Sequence, residues 1–399
     1  MSLLQDPPVR RVVLHLITGL RTGGAEMMLC RLLSVMDRRY WDPVVISLTD
    51  GSEPEAWLRK QGIPVYCLGM RPGMPPSPVL SIRLIRLVRR IRPALIHGWM
   101  YHANLAADFA GYFLRSGVPV LWSIHHSIGD LPAEKRMTIG MIRMGAFFSG
   151  KPAAIVYASQ VSREQHKTLG YKDKKACVIP YGVDPVLFAP SREDGAAVRR
   201  ELGIAPADIV IGLLARYHPM KDHANFLRAA GLLCRNHLND PNHLNHPDLP
   251  GIQFILAGTG VDGDNPDLQT LIRDLGLSGH VHLLGERADT NRLLAAMDIF
   301  GLSSSRGEAL PVVLLEAMSC GVPCVTTNVG DAGLLVGDTG RVVAAGNPEA
   351  LAGAWAALIS AGGESRRLLG KAARDKILRQ YTLSVSCGAH ENLYMDLLR

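Results

Sequence analysis

Two glutamates eight positions apart, Glu308 and Glu316, are the residues best placed by type and spacing to do chemistry. Glu308 ends the polar run Ser303-Ser304-Ser305-Arg306-Gly307, whereas Glu316 stands inside an apolar run from Val312 to Met318. A carboxylate between Leu315 and Ala317 is costly to bury without hydrogen bonds, so Glu316 needs a partner. A pair of sugar hydroxyls would suit it, and so would a structural salt bridge. Arg216 and Lys221 follow the apolar run Ile209 to Leu214. Two fixed cations at the carboxyl end of a strand can neutralise a diphosphate and stabilise it as a leaving group. A solvated basic pair is the plainer reading of the same residues.

Glycines mark the places where a backbone could approach such a ligand. Gly23-Gly24-Ala25-Glu26 opens a helix after the first apolar run, where free N–H groups attract phosphate. The stretch is not GxGxxG, so a dinucleotide enzyme is not indicated. Gly258-Thr259-Gly260 supplies a second close turn after the run Ile252 to Ala257. His237, His243 and His246, in the polar insertion from Arg235 to Pro250, lack a carboxylate or cysteine pattern around them and read as a surface loop.

These residues need elements to position them. Apolar runs at Val12–Ile17, Pro43–Leu48, Ile63–Leu68, Ala94–His97 and Val118–Ile124 read as buried strands. Helical patterns at Ala25–Leu33, 79–91 and Ala103–Leu114 lie between them. After a linker at about 184–205 the register starts again, with strands at Ile209–Leu214, Ile252–Ala257, Val281–Leu284, Ile299–Leu302 and Pro323–Thr326. Helices at Asp222–Cys234 and Pro311–Cys320 complete the second run. Two runs of βα units imply two doubly wound α/β domains, with ligand outside the carboxyl ends of the strands. The expected domains are 1–190 and 191–380, followed by a C-terminal helical segment at 381–399.

Composition supports this architecture. The 399 residues are 47% hydrophobic and include 40 glycines, enough for two cores and many tight βα turns. Seven scattered cysteines suggest reduced, mostly buried thiols in a cytosolic setting. The N-terminus lacks the order of a secretory signal, and no run of about 18 apolar residues suggests a membrane span. A net charge of +7 suits a nucleotide, a phosphorylated substrate or an anionic membrane surface. Clustered aromatic and basic residues of the nucleic-acid-binding kind are missing.

Over nearly its whole length the sequence resembles family 4 of the retaining glycosyltransferases, which have the GT-B fold. The likeness centres on a Glu, seven residues and a second Glu, matched by Glu308 and Glu316 in "SRGEALPVVLLEAMSCGVPCVTT". It implies two Rossmann-like domains facing a central cleft. It also implies that Glu316 holds the nucleotide ribose, that Glu308 contacts the donor sugar, and that Ala309, Leu310 and Pro311 help through their backbone. Arg216 and Lys221 would lie on the diphosphate, Gly23 and Gly24 would approach the phosphates, and Gly258 would belong to the same rim. Gly285, Glu286 and Arg287 would border the base. "VLWSIHHS" resembles the family strand that ends in a sugar-contacting histidine, with His125 the better match and His126 the alternative. The sequence departs from the family pattern at Ala309, Leu310 and Tyr181.

The expected activity is therefore retaining transfer from a UDP-linked sugar to a glycan, lipid-linked, in surface polysaccharide, lipopolysaccharide or glycolipid synthesis. A soluble acceptor, a non-catalytic nucleotide-sugar-binding protein and an epimerase are the alternatives. Asp262-Gly263-Asp264 has the spacing that holds metal-bound diphosphate in glycosyltransferases of the other major fold. Here Arg216 and Lys221 already supply that charge, so neither metal nor cofactor is expected. Residues 81–92, SIRLIRLVRRIR, place five arginines around an apolar stripe that includes Ile85 and Val88. The stripe could meet anionic lipid or pack on the sheet. The largely apolar Met137–Phe148 is a second candidate membrane contact, making a cytoplasmic protein at the inner membrane face the expectation.

Overall fold

The computed structural model describes residues 10–20, 24–71, 77–114, 117–129, 131, 135–238 and 251–399. The chain divides into two compact units, Met1–Gly182 with Leu383–Arg399, and Val183–Thr382. All seven cysteines are free thiols.

Unit 1 contains β1 (Arg11–Ile17), α1 (Gly24–Val35), β2 (Trp41–Ser47), α2 (Glu53–Lys60), β3 (Val65–Cys67), α3 (Pro78–Ile91) and β4 (Leu95–Trp99). Then come α4 (Met100–Tyr112), β5 (Val120–Ile124), α5 (Arg136–Phe148), β6 (Ala154–Tyr157), α6 (Gln160–Thr168) and β7 (Ala176–Val178). The strands form one parallel sheet in the order β3-β2-β1-β4-β5-β6-β7. Both faces are covered, so the strands are apolar on both sides, as buried parallel strands must be. Leu14 and Leu16 face the layer containing α3, α4 and α5. Val13 and Ile17 face α1 and the last helix of the chain.

Unit 2 opens with α7 (Arg192–Glu201), β8 (Ile209–Leu214), a 3₁₀ turn at Pro219–Lys221, α8 (His223–Leu238) and β9 (Ile252–Ala257). It continues through α9 (Pro266–Asp274), β10 (Val281–Leu283), α10 (Thr290–Ala295), β11 (Ile299–Leu302), α11 (Val312–Ser319) and β12 (Cys324–Thr327). The remaining elements are α12 (Ala332–Val336), β13 (Arg341–Val343), α13 (Pro348–Ser360) and α14 (Gly362–Gln380). Its parallel sheet runs β10-β9-β8-β11-β12-β13. Strand order reverses between β1 and β4 in unit 1 and between β8 and β11 in unit 2. The crevice outside the carboxyl ends of strands at such a point is where α/β sheets take ligands.

One expectation needs correction. The stretch at 184–205 is not a bare linker, because it contains α7. That helix starts at Ser191, whose hydroxyl accepts the Asp194 amide, and Arg199 ties it to Asp298 at 2.7 Å and to the Ala296 carbonyl at 3.0 Å. Its sequence has few large apolar residues because ion pairs and a close backbone approach at Gly195 hold it instead. For the stripe of α3 the sequence left two environments open. Leu84 and Val88 are buried in the core of the unit, and Ile85 is half-buried. This stripe packs on the sheet and leaves the arginines outside. Of the polar insertion, Arg235–Leu238 extend α8, whereas His243 and His246 lie outside the described residues.

The final helix, α15 (Leu383–Leu397), belongs to unit 1. It lays Cys387 and Tyr394 into the same core as Val13 and Trp41.

Candidate functional site

In unit 2 the predicted residues collect around the β8/β11 reversal. β8 ends at Leu214, and the chain passes exposed Arg216 into the turn carrying Lys221. Asp222 follows with φ +49°, a left-handed conformation costly for a non-glycine residue and often found at functional sites. Lys221 Nζ donates to Glu308 Oε1 at 2.5 Å, and Ser304 Oγ donates to the same oxygen at 2.6 Å. The two loops are sewn together by backbone as well. The Ser303 hydroxyl donates to the Lys221 and Asp222 carbonyls at 2.8 and 3.1 Å, and the Ser305 amide to the Met220 carbonyl at 2.8 Å. Glu308 is buried, so this pairing offsets a desolvation cost that an isolated carboxylate could not bear.

Gly330, with φ +59°, lets the chain after β12 pass against Glu308, because a Cβ there would overlap the Glu308 carbonyl. The buried run Ala309-Leu310-Pro311 then leads into α11. Pro311 is the N-cap and offers no side-chain acceptor, so no side chain caps the first turn of α11, in which the Leu314 amide donates to the Pro311 carbonyl at 3.1 Å. Glu316 sits one turn further on, buried at 8% exposure.

The glycine rim is equally tight. Gly258 follows β9 with φ +148°, and a Cβ would overlap the Ala215 carbonyl beside Arg216. Its amide donates to the Gly285 carbonyl at 2.8 Å, bringing the turn after β10 to the same edge. Glu286 is exposed and accepts from the Thr259 hydroxyl at 3.0 Å. Arg287 has a structural part in this loop. Its guanidinium is committed to Asp289 at 2.7 and 2.8 Å and to Glu201 at 2.8 Å, which holds α7 against this loop. Asp262 spends one carboxylate oxygen on the Asp264 amide at 3.0 Å, and Asn265 then caps α9.

Unit 1 brings a different set together. His125 follows β5 with its ring stacked between Trp99, at 4.8 Å and 6°, and Tyr181, at 5.4 Å and 11°. Both ring nitrogens are shielded from solvent and have no hydrogen-bond partner among the described residues. Burial, and after it the neighbouring His390, pushes its pKa down to about 3, so the ring is neutral near pH 7. A neutral imidazole has one donor and one acceptor, and leaving both unmade is costly. His126 is engaged elsewhere, at 3.3 Å from the Tyr101 hydroxyl, which also meets His166 at 2.8 Å. Of the two, His125 is the ring whose nitrogens are both uncommitted among the described residues.

Sequence reasoning missed the ring's supports. In the sequence Tyr181 stands out only as a departure from the family pattern, and Trp99 lies just beyond the apolar run Ala94–His97 with no signal of its own. Met100, which accepts the His125 amide at 3.4 Å through Sδ, has φ +70°, a second strained non-glycine residue beside a predicted site. Glu26, in the first turn of α1, has its pKa raised by burial and pushes that of Tyr181 further up. Gly24 begins that helix with open space where a Cβ would stand. Gly23 lies outside the described residues.

Comparison with known proteins accounts for most of the chain. The family model described as Glycosyltransferase Family 4 matches residues 22–187. The model described as Glycosyl transferases group 1 matches residues 195–376. A D-inositol 3-phosphate glycosyltransferase of Stackebrandtia nassauensis is 31% identical over 347 residues, 80% of this chain and 74% of that protein. The Escherichia coli UDP-Gal:alpha-D-GlcNAc-diphosphoundecaprenol alpha-1,3-galactosyltransferase is 27% identical over 236 residues, 58% of this chain and 57% of that protein. Among solved structures, Anabaena HepE in complex with UDP aligns with a TM-score of 0.81 at 24% identity, covering 96% of this chain and 99% of that one. That likeness is one of fold, which is GT-B.

Proposed function

The chain belongs to the glycosyltransferases of the group 1 and family 4 type, and from that premise we propose that it moves a sugar, with retention, from a UDP-linked donor to a glycan on a lipid diphosphate. The observation that carries the donor side is the Lys221–Glu308–Ser304 cluster at the β8/β11 reversal, with Arg216 exposed beside it. Diphosphate oxygens arriving there meet two cations and the uncapped start of α11. Negative charge develops on those oxygens as the anomeric bond breaks, and fixed donors stabilise it. Glu308, held by Lys221 and Ser304, orients the donor sugar rather than attacking it, while Ala309, Leu310 and Pro311 shape the sugar's surroundings. Glu316 holds the ribose, and Gly285 and Glu286 border the base.

His125 serves as a neutral hydrogen-bonding ring. Its unpartnered nitrogens suit a sugar hydroxyl, which both donates and accepts. With a pKa of about 3 the ring is too weak a base to take the acceptor's proton, which passes to the departing phosphate. The lipid-diphosphate acceptor is supported by the name of the E. coli relative and by the basic surface of α3. A soluble acceptor is the second reading, favoured by the burial of Leu84 and Val88. Among the described residues no helix is long and apolar enough to cross a membrane, so contact at the inner face would be peripheral.

The test is a thermal-protection screen of nucleotide-sugars, since a ligand that binds only the folded state raises apparent stability. Turnover with lipid diphosphate and water-soluble glycans follows. Protection by a UDP-sugar with transfer to the lipid glycan supports the reading. Protection without transfer to any acceptor would leave a binding protein, and isomerised donor without acceptor would make it an epimerase.

A further inference from the structure

The outer face of unit 1 carries a groove of about 1180 Å³ between α3, α4 and α5. That exceeds the roughly 300–1,000 Å³ of pockets for drug-sized ligands. Its walls are apolar, led by Leu80, Leu105, Phe109, Met141 and Phe148. Around it stand side chains that a folded chain normally hides, among them Tyr112 at 84% exposure, Phe147 at 82% and Val79 at 73%. Concentrated exposure of this kind marks a binding surface. Met70, Met137, Met141 and Met144 all line it, and unbranched thioethers adapt to a flexible apolar guest.

Charge indicates what the guest is attached to. Neither α3 nor α5 contains an acidic residue. Arg83, Arg86, Arg89 and Arg90 are exposed on α3, as are Arg136 and Arg143 on α5. Among the described residues none of these six has a carboxylate partner in an ion pair. None of the six is among the residues that line the groove, whose own charged groups are Asp108, Lys151 and Lys175. The basic faces of α3 and α5 flank it, and an apolar groove between two basic helices is complementary to a hydrocarbon chain that ends in phosphate.

The topology supplies direction. Met70, Leu80, His102 and Met137 bring the groove to the carboxyl ends of β3, β4 and β5, the edge at which His125 stands. Val120, Ala153 and Lys175 mark its other end, at the starts of β5, β6 and β7. The groove thus runs the height of the sheet, away from the His125 edge.

We propose that this groove holds the hydrocarbon chain of the acceptor's carrier lipid, drawn out along α3, α4 and α5 while its glycosylated phosphate end stays at the His125 edge. The proposal rests on the lipid-diphosphate reading of the acceptor. Chain length then becomes part of substrate recognition, because each methylene buried in the groove adds to binding.

The test compares two acceptors with the same glycan diphosphate, one on undecaprenol and one on a short, water-soluble alkyl chain. The full chain is used, with donor saturating. Met144→Glu puts a charge on the exposed lip of the groove, and Leu105→Trp fills its half-buried wall. The KM for the long-chain acceptor should be about tenfold or more below that for the short one in the parent, and each variant should erase the difference while leaving kcat on the short acceptor unchanged. Met144→Glu keeps the test alive if Leu105→Trp fails to fold. Equal KM values for the two chain lengths in the parent would overturn the groove proposal while leaving the acceptor reading intact. Failure to use either lipid acceptor would overturn both. Vesicles of phosphatidylglycerol and phosphatidylcholine without acceptor provide the last arm. Binding to them that Met144→Glu abolishes, with no chain-length preference in turnover, would make the surface a bilayer contact and sink the proposal.

Discussion

The two units share one architecture and hold opposite chemistry at the same edge of the sheet. In unit 2, the reversal between β8 and β11 presents charge: Lys221 bound to buried Glu308, Arg216 in solvent, and Glu316 one turn into α11. In unit 1, the corresponding region is neutral and aromatic. His15 and His97 face each other across β1 and β4, with Trp99, His125, Tyr181 and the α15 residues His390 and Tyr394 around them. His97 joins Tyr394 at 2.8 Å and Ser123 at 2.5 Å. A doubly wound sheet fixes where a ligand meets the chain and leaves the chemistry to the loops. On the function proposed above, one copy is equipped for phosphate and the other for hydroxyl groups and an apolar chain.

Acid provides the largest expected contrast. Burial pushes His15 and His125 down to about 3 and His166 and His390 to about 4, and it holds His97 well below its usual range. Unfolded histidines take up protons near pH 6.5, whereas these folded ones do not. Each therefore adds no pH dependence above about 6.5, and below it costs up to about 1.4 kcal/mol per pH unit until its folded value is reached. Asp108, raised to about 6, and Glu26, also raised, work in the opposite sense, but they are two against six once His102, also lowered by burial, is included. Unit 2 has one strongly lowered histidine, His223 at about 4, with smaller shifts at His218 and His282. Hydrogen exchange between pH 7 and 4.5 should show unit 1 losing protection first, with α15 among the segments affected. Earlier loss in unit 2 would mean that the histidine cluster does not govern acid stability.

Removing the charge of unit 2 comes next. Lys221→Ala and Arg216→Ala should each lower kcat by about 10²-fold, the scale of one lost electrostatic donor. Lys221→Ala also strands Glu308 as a buried, unpaired carboxylate, which is destabilising in itself. Lys221→Met combined with Glu308→Gln removes both charges and separates the two effects. If that double variant folds and turns over within twofold of the parent, stabilisation of the leaving group by this cluster is wrong.

A smaller loss should follow in the neutral unit. His125→Phe keeps the stack between Trp99 and Tyr181 and deletes both nitrogens, so kcat/KM should fall about tenfold, the worth of a hydrogen bond or two. The parent's pH–rate profile should show no limb from this ring between pH 5 and 8, since its pKa lies near 3. An acidic limb near 6 that disappears in His125→Phe would show that the ring titrates and that its neutral role is misassigned.

The sequence made the positions of these groups easier to read than their partners. Apolar runs such as Ile209–Leu214 and Ile299–Leu302 match β8 and β11 because a strand buried on both faces must be apolar throughout. Helix α7 was hidden because its docking uses Arg199 and Gly195 rather than an apolar stripe. The ion pairs of Arg287 include one with Glu201, 86 positions away, which no local pattern reveals. The Lys221–Glu308 bond spans 87 positions, so the residues were legible as types while the contact was not. In α3 the hydrophobic period was correct, and the environment it faced could only come from the packed sheet.

The smallest expected effect tests whether the charge of unit 2 is confined to that cluster. Asp262-Gly263-Asp264 has the spacing of a metal-binding pair, and a metal there would change the account of how the diphosphate is neutralised. Its local bonding favours a turn. Asp262 accepts the Asp264 amide, Asn265 donates to the Gly260 carbonyl at 2.7 Å, and the Asn265 side chain accepts the Asp267 and Leu268 amides at the start of α9. Asn can replace Asp at position 262 without losing that acceptor, so Asp262→Asn preserves the turn while removing the charge. Asp262→Asn and Asp264→Asn should therefore leave kcat within about twofold, since surface substitutions away from such features rarely matter more. Chelator should leave the parent's rate unchanged as well, because Arg216 and Lys221 supply the positive charge. Strict dependence on added magnesium or manganese, lost in either variant, would assign part of the neutralisation to this turn. The contrast between the units would then have to include a bound cation beside the β8/β11 reversal.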